Sequence, residues 1–156
     1  MQKYIGTKII NAQPITRLGY NDLRGWTVPA DENPADAGYL VEYIDGGQAN
    51  HPDYDGYISW SPKEVFERAY RPTTNMTFGD ALVMLKVGKR VTRAGWNGKG
   101  MWLVLIKHYE YEVESYMLFD GASLDPFIAM RTANQSLVPW LASQTDMLAE
   151  DWMMLD

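Results

Sequence analysis

A nucleophilic side chain needs a base to activate it, and the commonest such base is histidine. This chain holds two, His51 and His108, and no cysteine. His51 sits in a run broken by prolines and glycines, and His108 follows an apolar stretch. Neither has a triad pattern beside it, so both read as polar surface or turn residues. The lack of cysteine removes thiolate zinc sites, iron–sulfur clusters, disulfides and cysteine nucleophiles, and suits a reducing cytosol. Asp53-Tyr54-Asp55-Gly56 opens like a calcium loop but lacks the closing glutamate, and reads as a solvated turn. Gly95, Gly98 and Gly100 follow a hairpin pattern instead of opening a helix, which argues against a phosphate-binding glycine loop. Asp146 with Asp151, or Glu150 with Asp151, could move protons, but acids are plentiful and spacing alone selects none. The chain therefore reads as a protein that is not an enzyme, with no catalytic residue, no cofactor and no metal expected.

Binding chemistry is better represented. The chain has six tryptophans, and Trp96, Trp102, Trp140 and Trp152 all lie in the C-terminal half. Tryptophan fills cores and also stacks on flat ligands. Trp102 stands inside the apolar run Met101 to Ile106 and reads as core. Trp96 precedes Asn97-Gly98 and Trp140 follows Pro139, and beside such turns packing and ligand contact both stay open. Charge is also uneven. From Ala81 to Tyr109 the chain carries Lys86, Lys89, Arg90, Arg93, Lys99 and Lys107 and no acid, which leaves a net charge of -12 on the remainder of a chain of -6. Arg90 and Arg93 near Trp96 would let a planar base stack while a guanidinium meets a phosphate. Solvated charges balancing acids elsewhere are the alternative.

These residues need a frame, and turn signals mark it. In the N-terminal third, Gln13-Pro14, Val28-Pro29, Asn33-Pro34, Asp45-Gly46-Gly47, His51-Pro52 and Asp55-Gly56 separate short strand-like runs, Tyr4 to Ile10, Gly38 to Ile44 and Tyr57 to Trp60. A small sheet is expected there. Ser61-Pro62-Lys63-Glu64 predicts a helix start, with Val65, Phe66, Ala69 and Tyr70 on one face and Arg71-Pro72 as the stop. Thr77 and Asp80 predict a second helix, ending at Lys86-Val87-Gly88. Lys89 to Trp96 and Met101 to Tyr109 read as a hairpin around Asn97-Gly98-Lys99-Gly100. Glu110 to Ser115 and the turn Asp120-Gly121-Ala122-Ser123 form an excursion from the sheet. Phe127 to Ala133 and Leu137 to Trp140 make a second hairpin around Asn134-Gln135-Ser136, with Pro139 implying an edge or a strand end. A turn of helix at Met147 to Glu150 and a last strand, Trp152 to Leu155, complete the chain. That strand could pack or could lie at an interface.

The expected fold is α+β: a small antiparallel β-rich domain with two short helices over residues 73–156, preceded by a β-rich extension, residues 1–72, that ends in a short helix. At 156 residues one core or two small ones are natural, and a content of 46% hydrophobic and 22% charged residues is that of a globular protein. No basic segment followed by an apolar stretch opens the chain and no apolar run would span a bilayer, so a soluble, unexported protein without a membrane partner is expected. An acidic pI near 4.9 argues against nonspecific nucleic-acid binding and leaves small anionic ligands open.

Three strings carry a resemblance: Met76 to Leu82, Gly88 to Met101, and Val138-Pro139-Trp140-Leu141-Ala142-Ser143-Gln144-Thr145-Asp146-Met147-Leu148-Ala149-Glu150-Asp151-Trp152. From about residue 75 onward the chain resembles the second type of phage Thoeris anti-defence protein. The resemblance implies a small β-rich oligomer, typically a homotetramer, acting in the cytoplasm of the infected bacterial host. Such proteins are sponges. They sequester the cyclic ADP-ribose signal of TIR-domain enzymes without degrading it, and some capture cyclic dinucleotides at a separate site, which would extend the block from Thoeris to CBASS defence. The implied pockets lie where subunits meet, with tryptophans stacking on the base. The matching positions are Phe78, Arg93, Trp96 and Asn97, then Trp140, Ala142, Ser143, Gln144, Thr145, Asp146 and Asp151. The segment before residue 72 is extra relative to the compact members, and the stretch from Tyr109 to Asp125 is a second departure. Two other readings stand beside the sponge: a phage structural or carbohydrate-binding module, since exposed tryptophans also stack on sugars, and an enzyme that degrades the signal.

Overall fold

A computed structural model describes residues 1–107 and 125–155. His108, the excursion read at Glu110 to Ser115 and the turn at Asp120 to Ser123 lie outside the described residues. The chain divides into Met1–Arg71 and Pro72–Asp156.

In the N-terminal unit, β1 (Ile10–Thr16), β2 (Ala37–Tyr43) and β3 (Tyr57–Pro62) form an antiparallel sheet in the order β1-β2-β3. The strand expected at Tyr4 to Ile10 begins instead at Ile10 and runs through Gln13-Pro14, which had the look of a turn. The partner decides this. β2 ends at Tyr43, opposite Ile10, so residues before that point have little strand to pair with. Pro14 is tolerated because of where it points. Ile58 in β3 donates its N–H to Asn50 Oδ1 at 2.8 Å and accepts from Asn50 Nδ2 at 2.9 Å, so it faces away from β2. Alternation then turns Asn11, Gln13 and Ile15 of β1 toward β2 and aims Pro14 outward, where a missing N–H costs nothing.

Between β1 and β2 lies a helix that the reading of this stretch as sheet overlooked, α1 (Arg17–Arg24). Its signals are local. The Thr16 hydroxyl accepts from Gly19 N–H at 3.1 Å, and Gly25 closes the helix at φ 67°, a conformation that suits glycine. Tyr20 of α1 packs with Leu40 and Ile58, flanked by Ile15, Leu23 and Trp60, to make this unit's core. Gly38 is needed there, because a Cβ would stand 2.5 Å from both the Trp60 ring and the Ser61 carbonyl. α2 (Lys63–Ala69) follows β3 directly, with Pro62 and not Ser61 at its cap, and Phe66 stacks on Tyr39 at 4.0 Å.

In the C-terminal unit α3 (Phe78–Lys86) opens with the expected capping box. Asp80 N–H donates to Thr77 Oγ1 at 3.3 Å, and Asp80 Oδ2 accepts the Thr77 N–H at 2.9 Å. Then come β4 (Arg90–Arg93), β5 (Trp102–Ile106), β6 (Phe127–Arg131), β7 (Leu137–Pro139), α4 (Gln144–Met147) and β8 (Trp152–Leu155). The sheet order is β7-β6-β5-β4-β8, antiparallel throughout. Pro139 closes an edge strand, as its type suggests. The fold is thus α+β and mostly β, with α1 added to the helices expected. α4 starts three residues earlier than the helix read at Met147 to Glu150, because Ser143 and Asp146 form a capping box of their own.

β8 is packed. Arg93 faces Trp152 across the β4–β8 ladder, and the outer side of β8 bonds to Met76 and Thr73. Ala81, Met84 and Leu85 of α3, with Val91, Leu103 and Trp152 of the sheet, are buried. β4 is shorter than the run Lys89 to Trp96. Ala94 N–H turns to the Asp151 carbonyl at 3.1 Å, and Trp96 N–H folds back on the Arg93 carbonyl at 3.3 Å.

Candidate functional site

The end of β4, the turn after it and the segment from Trp140 to Trp152 meet around one carboxylate. Arg93 Nη1 donates to Asp146 Oδ1 at 2.8 Å, and Arg93 Nε donates to Asp151 Oδ1 at 2.8 Å. Asp146 Oδ1 also accepts Trp96 Nε1–H at 3.1 Å. Its Oδ2 accepts the Ser143 hydroxyl at 2.6 Å, while its own N–H donates to Ser143 Oγ at 3.1 Å. Gly95 N–H donates to Asp151 Oδ2 at 2.7 Å, and Trp152 Nε1–H donates to the Asp146 carbonyl at 3.0 Å. One carboxylate therefore caps α4, neutralises an arginine and orients a tryptophan.

The electrostatics follow from these partners. Partial burial pushes the Asp146 carboxyl upward, but hydrogen bonds from Ser143, Arg93 and Trp96 outweigh it and hold the group below the usual carboxylate range. Asp151 is lowered mainly by the Arg93 hydrogen bond, against some burial and with help from Gly95 N–H. Asp151 in turn raises Arg93, so all three groups are charged at neutral pH. The Arg93 side chain is only 14% exposed and is bracketed by two acids. In this chain it is directed inward to Asp146 and Asp151.

Around this knot stand four rings. Trp152 is fully buried, and Phe78, Trp96 and Trp140 surround it at 5.5, 5.5 and 6.1 Å between centroids. Trp96 and Trp140 meet at 6.3 Å and 62°, an edge-to-face contact. A base inserted between two parallel rings needs about 7 Å, two van der Waals spacings. A flat ligand would therefore lie on an outer face of Trp96 or Trp140, both partly exposed.

The structure brings Phe78, Arg93, Trp96, Trp140, Asp146 and Asp151 together, with Ser143 joined through the cap. Ala142 is half-buried, and Asn97, Gln144 and Thr145 are exposed on the neighbouring turn and on α4. Trp152, at the centre of the ring cluster, was read as a strand residue and left out of the candidate set. Its signal was the motif that ends on it, beside Asp151. Trp102 was read as core but is half-buried, with the guanidinium carbons of Arg90 and Arg131 at 5.2 and 6.0 Å from its ring centre.

His51 has a structural position. Its Nδ1 accepts Asp53 N–H at 3.2 Å, which leaves Nε2–H to donate to the Leu23 carbonyl at 3.1 Å. The turn that resembled a calcium loop is tied to β2 instead, with Asp55 and Gly56 N–H both donating to Glu42 Oε1 at 3.1 Å. Among the described residues no cluster of three His, Asp or Glu could hold a metal ion, and no helix is long and apolar enough to cross a membrane.

Comparison with known proteins falls on the C-terminal unit. Residues 76–155 match the model of the Thoeris anti-defense 2-like domain. Over 83 residues the chain is 41% identical to Thoeris anti-defense 2 of Bacillus phage SP01, covering 51% of this chain and 93% of that protein.

Proposed function

The chain belongs to the Thoeris anti-defense 2-like family, and from that premise we propose that it is a phage anti-Thoeris protein that captures cyclic nucleotide signals and holds them unaltered. The ligand is glycocyclic ADP-ribose, with cyclic dinucleotides of CBASS defence as a second class. The protein acts in the host cytoplasm as a homotetramer. The observation that carries this reading is the ring cluster: two partly exposed tryptophans held in fixed orientation, one by a hydrogen bond to Asp146. Rings fixed before binding lose no freedom on binding.

Roles divide accordingly. Trp96 or Trp140 stacks on the base, while exposed Asn97, Gln144 and Thr145 contact the ribose or phosphate groups. Arg93, Asp146 and Asp151 are positioning residues that brace Trp96, and Phe78 backs the rings. Leu141 and Leu148 beside the site are 91% and 79% exposed, which supports a subunit interface there. Nanomolar capture corresponds to about -12 kcal/mol. A stacked base contributes about 1–3 kcal/mol, and each charge-assisted hydrogen bond about 1.5–3 kcal/mol. A few such contacts suffice, and none requires a catalytic base.

The test is calorimetric titration with glycocyclic ADP-ribose and then cyclic dinucleotides, followed by heating the complex and identifying what emerges. Intact nucleotide is expected. A degraded product would convert the sponge into an enzyme, and binding to a glycan array with no nucleotide binding would favour a carbohydrate module. Trp96→Ala and Trp140→Ala should each weaken capture at least about fivefold, the lower end of one lost stacking contact. Full binding in both variants would remove the site assigned here.

A further inference from the structure

In the N-terminal unit, strand-forming sequence from Tyr4 to Ile9 has no strand paired to it among the described residues. β1 and β2 pair with Ile10 opposite Tyr43. The same register carried two residues further sets Lys8 opposite Asp45, where the two are ion-paired at 2.9 Å, and Lys8 Nζ lies 5.2 Å from the Tyr43 ring centre. Past that point the facing chain turns away at Gly46 and Gly47, with φ of 125° and 102°. Tyr4 and Ile5 are 86% and 100% exposed, although tyrosine, isoleucine and threonine are strand formers. The outward-facing residues of β1 are Ile10, Ala12 and Pro14, by the alternation that Ile58 sets. An open edge thus runs from Tyr4 to Ala12 and is closed by proline.

We propose that residues Tyr4 to Ile10 pair antiparallel with the same stretch of a second copy of this chain, about a two-fold axis at Thr7. In that register Tyr4 faces the copy's Ile10, Ile5 faces Ile9 and Gly6 faces Lys8, so apolar side chains meet on both faces of the ribbon. Neighbouring registers do worse. Centring on Lys8 sets two ammonium groups directly opposite and places Ile5 against Asn11, while centring on Gly6 sets Tyr4 against Lys8 and Ile5 against Thr7. Pro14 stays outside the paired stretch. The contact joins two three-stranded sheets into one of six strands and is isologous, as a two-fold requires. It lies in the unit outside the family match and stands apart from ligand capture.

The chain has no cysteine, so a single introduced thiol reports the pairing without background. Thr7 would meet Thr7 in a non-hydrogen-bonded pair, with Cα atoms about 4.5 Å apart and within disulfide reach. Under mild oxidation, Thr7→Cys should form a disulfide-linked dimer at least about tenfold faster than Gln2→Cys on the same segment, because pairing raises the local thiol concentration. Adding Ile5→Lys should cut that rate by a similar factor while leaving Tm unchanged, since Ile5 is fully exposed in the single chain. Crosslinking of Thr7→Cys no faster than Gln2→Cys, or unaffected by Ile5→Lys, would overturn the proposal.

Discussion

Each unit of this protein lays an arginine against a tryptophan and neutralises it with acid, and the two versions differ in what they hold together. In the N-terminal unit the Arg17 guanidinium carbon lies 4.9 Å from the Trp60 ring centre and its Nε pairs with Glu32, fifteen residues on, in the loop that follows α1. The carboxylate is 37% exposed, and Trp60 is half-buried. In the C-terminal unit Arg93 lies 6.0 Å from the ring centre of Trp152, which has no exposure, and its two acids come from 53 and 58 residues away. The first arrangement pins a loop to a sheet. The second ties β4, the cap of α4 and the start of β8 into one network, so every partner depends on the others. The same chemistry is a surface staple in one place and a structural centre in the other because desolvation and chain separation differ.

The comparison breaks most plainly at the tryptophans. Trp152→Ala should cost about 3–5 kcal/mol and, on the function proposed above, abolish nucleotide capture with it. Trp60→Ala should cost less, because that ring is only partly buried. Urea denaturation of both variants measures the difference, and equal losses would mean that burial is not what separates the two sites. Next in size is Arg93→Ala, which leaves Asp146 and Asp151 facing each other without a cation. A loss of about 2–4 kcal/mol is expected, somewhat under that for a fully buried pair. Asp146→Asn should lose less than Asp146→Ala, since the amide oxygen can still accept from Trp96 or from the cap. A Trp96 fluorescence spectrum that shifts in the alanine variant and not in the asparagine variant would locate the effect.

Gly38→Ala probes the N-terminal site from behind. The new Cβ would stand 2.5 Å from the Trp60 ring, and overpacking of that kind costs about 1–3 kcal/mol. Calorimetry showing no change in Tm would mean that Trp60 moves freely. Acid gives a smaller and reversible reading. Asp146 and Asp151 are both lowered in the folded state, so their contribution is complete above the unfolded carboxyl value, near about pH 4, and is lost as pH falls below it. A urea midpoint that declines below that pH in the wild type and is flatter in Asp146→Asn is expected. Smallest is Arg17→Ala, at about 0–1 kcal/mol, as for an ion pair with one exposed partner. A loss as large as that of Arg93→Ala would erase the distinction between the two sites.

Much of the fold was legible locally. Thr77 with Asp80 announced α3, the apolar runs at β2, β3, β5 and β6 announced strands, and Pro139 announced an edge, because each signal acts within a few residues. α1 was equally legible from Thr16 and Gly25 and was hidden by the turn signals around it. β1 was not legible, since its bounds depend on where β2 ends and on which way Pro14 points. In the site, the motif from Trp140 to Asp151 pointed to residues that the structure brings together with Arg93 and Trp96, but not to the contacts they make.

What the amino-acid sequence determined by itself was the chemistry available. It excludes thiolate chemistry, places four of six tryptophans in the C-terminal half and six cations with no acid between Ala81 and Tyr109, and carries the motifs of its family, all of which are properties of residue type and order. Only the tertiary structure decided that Arg93 turns inward to two carboxylates, that Asp146 serves a helix, an arginine and a tryptophan at once, and that Trp152 is the centre of the rings. The Arg93 contacts span more than fifty residues and exist only once β8 pairs with β4, so no local preference could specify them.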